Sequence, residues 1–296
     1  TYFLMLVGGG QMGVAVAFSF APLVLYFLIR VLEENHNTKL FLSASLINAL
    51  ALMFDPRVYI ITLFSFVIYS LYSRLFQPIN SKKFLRVLSI IFISFLLNLF
   101  WIIPNISYYG QEYTLFATEP LASFLSFATF SNSISLLHPN WPENVFGKIG
   151  FMRPEFIILG IIPYLSLLFI NLKNKKDLKD KRTLITILFF TSLGLIGSFL
   201  SKGVNPPFGE VYEIFSTLPG STVFRDPTKF YILTALSYSV LIPLGLYFIF
   251  SSLNRKFKNL GTLFVVCLIV YFLFLIKPAI LGELNGTFLS HDVPKD

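Results

Sequence analysis

The chain has 296 residues, 55% of them hydrophobic and only 13% charged, with a formal net charge of +8. Soluble domains carry about 25% charged residues, so composition excludes an ordinary soluble fold. The single cysteine, Cys267, excludes an internal disulfide framework, and His36, His138 and His291 are too far apart in sequence to suggest a metal site.

The apolar residues fall into blocks separated by short polar stretches that hold nearly all the charge. A helix needs about 20 apolar residues to cross a hydrocarbon core. Lipid offers no partner to an open backbone, and the blocks lack the alternation of a membrane strand, so each reads as a helix. In chain order they cover residues 12–29, 40–54, 58–72, 84–103, 156–172, 183–200, 230–253 and 260–276. The expected fold class is an all-α integral membrane bundle of about eight transmembrane helices. Asn48 and Asn98 lie at membrane depth, where interhelical hydrogen bonding is their expected role. Pro163 and Pro243 are expected to kink their helices.

The loops alternate in character. Those at 30–39, 73–86, 173–182 and 254–258 contain 15 of the 23 basic residues and four of the 15 acids. The positive-inside rule places them in the cytoplasm of a multi-pass cell-membrane protein, with loops 104–155 and 201–229 outside. The basic balance is thus a topology signal. It points to membrane lipid as a partner and away from nucleic acid. Residues 121–137 carry no charge but seven hydroxyl or amide side chains, the pattern of an interfacial or re-entrant helix. Two sequons, at Asn105 and Asn285, fall on the outer face. No repeat or linker divides residues 1–296, which read as a single domain. The opening at Thr1, without a basic leader segment, reads as a fragment of a longer chain.

Three places could carry chemistry. In Phe54-Asp55-Pro56-Arg57, Asp followed by Pro is a helix start. Fifteen-residue blocks on either side would leave the turn below the outer surface, where charges mark functional paths. The plain alternative is a capped hairpin. In Phe224-Arg225-Asp226-Pro227-Thr228-Lys229-Phe230 the same Asp-Pro start recurs, with Asp226 as cap. Arg225 and Lys229 flank the helix N-terminus, which favours anions, and an Arg fork with a Lys point charge suits phosphate. Snorkelling of both cations to the interface is the alternative. In the long outer loop, Glu119, His138 and Trp141 suit sugar or headgroup binding, against an ordinary interfacial loop. Glu210 and Glu213 read as a solvated face.

The Leu218-Pro219-Gly220 turn and the Phe-Arg-Asp-Pro-Thr-Lys-Phe helix start resemble the later half of GT-C type membrane glycosyltransferases. The nearest branch is the arabinofuranosyltransferase-like and YfhO-like group, and the Asp55-Pro56-Arg57 hairpin fits it too. The resemblance implies sugar transfer from a polyprenyl-phosphate carrier to an acceptor at the outer face. Arg225 and Lys229 would neutralise the carrier phosphate, and Asp55 and Arg57 would line the cavity. Asp55 is the acidic candidate within this chain. The family's catalytic acid belongs to an earlier outer loop, upstream of Thr1. No cofactor is evident in the chain, and a divalent metal would be held through residues outside it. A transporter or flippase of lipid-linked sugars, or a non-catalytic membrane subunit, are the competing readings.

Overall fold

The computed structural model describes residues 11–34, 37–76, 81–109, 126–136, 154–170, 178–218, 220–224, 226–257 and 259–281. Among these residues the fold is helical, with no strand. The helices are α1 (Met12–Glu33), α2 (Thr38–Phe54), α3 (Pro56–Phe76), α4 (Ser81–Leu97), α5 (Leu99–Tyr109) and α6 (Phe130–Ile134). They continue as α7 (Pro154–Ile161), α8 (Leu178–Ser201), α9 (Gly209–Ser216), α10 (Tyr231–Lys256) and α11 (Leu260–Ile280). Five are long and apolar enough to cross a membrane, or six if α4 and α5 form one span. The described residues of all eight apolar blocks are mainly helical.

Three elements depart from the sequence reading. The third block runs to Phe76, 21 residues in all or about 31 Å, because its polar last turn, including Arg74, stays helical. Its partner α2 has 17 residues, or about 25 Å, so only one arm of that hairpin is short. The fourth block is not one helix. It breaks at Asn98, and α4 and α5 meet at 69°. There the Asn98 side-chain amide donates to the Ser94 carbonyl at 2.8 Å, while the Asn98 main-chain N–H turns to Phe95 at 3.0 Å. A side chain inserted into the hydrogen-bond ladder in this way breaks a helix. The same amide also donates to Ala49 of α2 at 3.0 Å, which is the interhelical bond its depth demanded. In the fifth block, Pro163 starts a 3₁₀ segment, Ile162–Phe169, after α7. By contrast α10 runs unbroken through Pro243.

The core is built on close helix pairs. Gly194 and Gly197 of α8 face α10, and a Cβ added at Gly197 would lie 2.6 Å from Thr234 Oγ1 and 2.7 Å from its N. Such small residues let helices approach in lipid, where hydroxyl bonds tie them together. Ser237 Oγ donates to the Phe190 carbonyl at 2.6 Å. Asn48 accepts from the Tyr59 hydroxyl at 3.1 Å, joining α2 to α3. On the outside, α11 packs chiefly on α10 and exposes Leu263, Val266, Val270 and Leu273, as a lipid-facing helix would. Cys267 is exposed there too.

The uncharged run 121–137 is described from residue 126. An extended stretch leads into α6, whose Ser133 is buried, and the Tyr238 hydroxyl of α10 donates to Ile134 at 2.5 Å. The run is therefore no spanning helix over its described part.

Candidate functional site

Both Asp-Pro starts form the caps their sequences call for. Asp55 accepts from the N–H groups of Arg57 at 2.8 Å and Val58 at 3.1 Å. Asp226 accepts from the Thr228 N–H at 3.0 Å and its hydroxyl at 2.6 Å. Each aspartate also holds the cation of its own motif. Arg57 Nη2 lies 2.6 Å from Asp55 Oδ2, and Lys229 Nζ lies 2.9 Å from Asp226 Oδ2.

The two turns meet at one end of the bundle. Lys229 Nζ donates to the side chain of Gln11, the N-cap of α1. Two residues on, a Cβ at Gly13 would lie 2.7 Å from the Phe54 carbonyl, next to Asp55. Val14, Ala15 and Ala17 of α1 cluster with Val58 of α3. The start of α1 therefore sits between the two turns.

The cations differ in exposure. Arg57 keeps 38% of its side chain accessible, so it faces both Asp55 and the surroundings. Lys229 is 2% exposed and does not snorkel. Burial alone would raise the Asp226 carboxyl, but the Lys229 ammonium and the Thr228 donors outweigh it and hold the group below its ordinary range. A neutralised pair of this kind is stable only when both ions are satisfied.

A third cation at this end escaped the sequence reading. Lys202 follows α8 directly and is fully buried. Its ammonium donates to the carbonyls of Asn205 at 2.6 Å and Gly203 at 3.3 Å and lies 4.4 Å from the Phe199 ring centroid. None of the ion pairs formed among the described residues involves it. The signal that could have found it was scarcity: few basic residues lie outside the four basic loops, and one of them closes an apolar block.

The loop after Lys202 is pinned on both sides. Gly203 takes a φ of +60°, and a Cβ there would strike Ser126 Oγ at 2.0 Å and Pro227 Cγ at 3.0 Å. Asn205 donates to the carbonyls of Ser126 at 2.7 Å and Ala128 at 2.9 Å. Beyond it, α9 buries Tyr212 against Phe215 and Phe230, and its hydroxyl donates to the Phe224 carbonyl at 2.8 Å. Glu210 and Glu213 of α9 are exposed, as a solvated face requires.

Arg225, Glu119, His138 and Trp141 lie outside the described residues, as do all three histidines. Asn105 of the first sequon lies on α5 and donates to the Trp101 carbonyl at 2.8 Å. No group of three or more metal-ligating side chains occurs among the described residues.

The basic loops gather at the other end. The Glu33 carboxylate at the end of α1 accepts from the Tyr69 hydroxyl of α3, and the Glu33 carbonyl accepts from Lys83 of α4 at 2.5 Å. Arg182, at the start of α8, acts electrostatically on the same tyrosine. Arg30 pairs with Glu34 beside them. The bundle therefore has a basic end, where these loops converge, and an end where the two Asp-Pro turns and Lys202 converge.

No protein-family model matches the chain, and no match was found among curated proteins or solved structures.

Proposed function

We propose that this chain is a membrane glycosyltransferase, or the membrane half of one, that moves a sugar from a polyprenyl-phosphate carrier to an acceptor at the outer face. One observation carries the reading. Two Asp-Pro helix starts, 171 residues apart in sequence numbering (Asp55 and Asp226), meet at the end of an apolar bundle opposite the basic loops. Ionisable groups drawn together by the packing of apolar helices are a candidate site for a polar ligand.

In this reading all eight apolar blocks belong to the membrane region, and the basic end is cytoplasmic. The acceptor and the sugar lie at the opposite face. Arg57, half-exposed while paired to Asp55, contacts the carrier phosphate, and Arg225 joins it from the second motif. Lys229 acts from behind. It holds Asp226, the cap of the 3₁₀ turn Pro227–Phe230 that leads into α10. Asp55 is occupied by two backbone donors and a guanidinium, which favours an orienting role over that of the catalytic base. Glu119, His138 and Trp141 would contribute to the sugar side.

The flippase reading needs a path open to both ends. Bonds that cross the bundle at the basic end, from Tyr69 to Glu33 and from Lys83 to Glu33, favour the enzyme. So does the 2.5 Å contact between the Tyr72 and Ser192 hydroxyls, which ties α3 to α8.

The test is transfer. Membranes holding the whole polypeptide are incubated with radiolabelled mannose, glucose or arabinofuranose on polyprenyl phosphate, and label leaving the lipid extract is counted. Loss of transfer in Arg57→Ala and Arg225→Ala, with the protein still inserted and folded, is the expected result. Unchanged transfer in both overturns the phosphate assignment. For the flippase, a cysteine placed at Asp55 in a Cys267→Ser background would react with a reagent supplied from the basic end. The enzyme reading forbids that reaction.

A further inference from the structure

We infer that Lys202 is the anchoring cation for a phosphate group at this end of the bundle, an assignment that rests on reading the end as a lipid-phosphate site. The argument is one of charge balance. Asp55 offsets Arg57 and Asp226 offsets Lys229, each within ion-pair distance. Lys202 has carbonyls and an aromatic face around its ammonium and no carboxylate in contact among the described residues. Among the described residues it is the buried cation with no carboxylate in contact, at the end where the two Asp-Pro turns lie.

Carbonyl dipoles and a ring face stabilise an ammonium only in part. A buried ion without a counter-ion is costly, and an anion close to it removes that cost. Burial pushes the Lys202 amine down from its ordinary range, and the Glu210 carboxylate opposes this through space. The position suits a bound phosphate. Gly203, next in sequence, packs on Pro227 of the second Asp-Pro start. The loop is clamped to residues 126–128 by Asn205 and by the Val204 N–H, which donates to Ser126 Oγ at 3.1 Å. The ammonium is therefore held at a fixed point beside the turn that carries Lys229. A phosphate monoester or diester is the matching chemistry: it has the charge to balance a lysine and oxygens to accept its N–H groups.

The test uses the whole polypeptide in nanodiscs of neutral phosphatidylcholine. Polyprenyl monophosphate, the uncharged polyprenol of equal length, and inorganic phosphate are titrated against wild type, Lys202→Met, Lys202→Arg and Glu210→Gln. Lys202→Met should weaken monophosphate binding by about tenfold or more, as loss of a charge-assisted bond does, and leave polyprenol binding unchanged. Lys202→Arg should retain most of the affinity. Glu210 is exposed, so Glu210→Gln keeps the fold. It should tighten the monophosphate by about twofold by removing a partly screened repulsion. This arm decides the matter even if Lys202→Met does not fold. Competition by inorganic phosphate separates a headgroup site from one that needs the lipid chain; either result supports the site. Wild-type affinity in Lys202→Met, no change in Glu210→Gln, or no phosphate binding by wild type overturns it. Phosphate binding through Lys202 without sugar transfer sinks the transferase reading alone. Sugar transfer with Lys202→Met at wild-type affinity sinks the Lys202 assignment alone.

Discussion

The Lys229 ammonium donates to the Gln11 side-chain carbonyl at 3.2 Å, joining residues 218 positions apart. The same ammonium bonds Asp226 at 2.9 Å, so one buried charge ties the first helix to the cap of the 3₁₀ turn Pro227–Phe230 that leads into α10. Removing Lys229 alone strands a carboxylate that is itself mostly buried, and breaking a buried pair costs about 3–5 kcal/mol. Lys229→Met should therefore unfold the detergent-solubilised protein at much lower denaturant. The double change Asp226→Asn, Lys229→Met keeps a cap acceptor and leaves no orphan charge, so it should recover at least half of that loss. Gln11→Ala should cost only about 1 kcal/mol, the net worth of one hydrogen bond. Equal losses in the single and double variants would show that the pair itself does not decide the fold.

The same pair sets a pH dependence with a definite sign. The Asp226 carboxyl is held below its ordinary range in the fold, by Lys229 and the Thr228 donors against the effect of burial. A depressed carboxylate releases its proton more readily when folded. Its stabilisation is thus present above the unfolded value, about 3.9, and is lost as pH falls through the folded value. Stability of the wild type, followed by thermal unfolding in detergent, should decline below about pH 4. Asp226→Asn should flatten part of that decline while lowering stability at neutral pH. A decline of equal size in the variant would assign it to other carboxylates.

The α8–α10 contact makes a steric prediction. A methyl at Gly197 would sit 2.6 Å from Thr234 Oγ1 and 2.7 Å from Leu233 Cβ, whereas one at Gly245 would meet nothing closer than 3.4 Å. Overpacking a tight interface costs about 1–3 kcal/mol. Gly197→Ala should lower the unfolding midpoint clearly, and Gly245→Ala should leave it unchanged or raise it, since alanine is also the better helix former. Similar midpoints for the two would mean that α8 and α10 are not seated as closely as the backbone indicates.

How far these features could be read in advance depends on their range. The caps at Asp55 and Asp226 were legible because a cap is local: Asp, Pro and the next N–H groups are adjacent in sequence. The burial of Lys229 was not, since its second partner is Gln11 at the far end of the chain. The same limit hid Lys202, whose environment comes from a loop held by Ser126 and Pro227. Helix existence followed from hydropathy alone, because lipid leaves an apolar segment no other way to satisfy its backbone. The break at Asn98 did not follow. Its side chain could bond across to α2 or back into its own ladder, and it does both. Neither the pattern of apolar residues nor the absence of Pro at that position distinguishes those outcomes.

The orientation of the bundle is the prediction on which the outer-face chemistry rests. The structure separates the two ends without reference to a membrane: Glu33, Tyr69, Lys83 and Arg182 gather at one, Gln11, Asp226 and Lys229 at the other. The rule that basic loops stay in the cytoplasm then assigns the sides. Two exposed positions report on it, Lys39 at the start of α2 and Phe208 before α9, the latter 70% exposed. Each is changed to Cys in the Cys267→Ser background, and intact cells are treated with a membrane-impermeant maleimide. Phe208→Cys should react in intact cells, and Lys39→Cys only after the membrane is opened. Labelling of Lys39→Cys alone in intact cells would place the Asp-Pro turns in the cytoplasm. A site there could still bind phosphate through Lys202, but its donor would have to be delivered from the cytoplasmic leaflet. The sugar-transfer proposal in its outer-face form would then fail, and the phosphate site would stand or fall by its own titration.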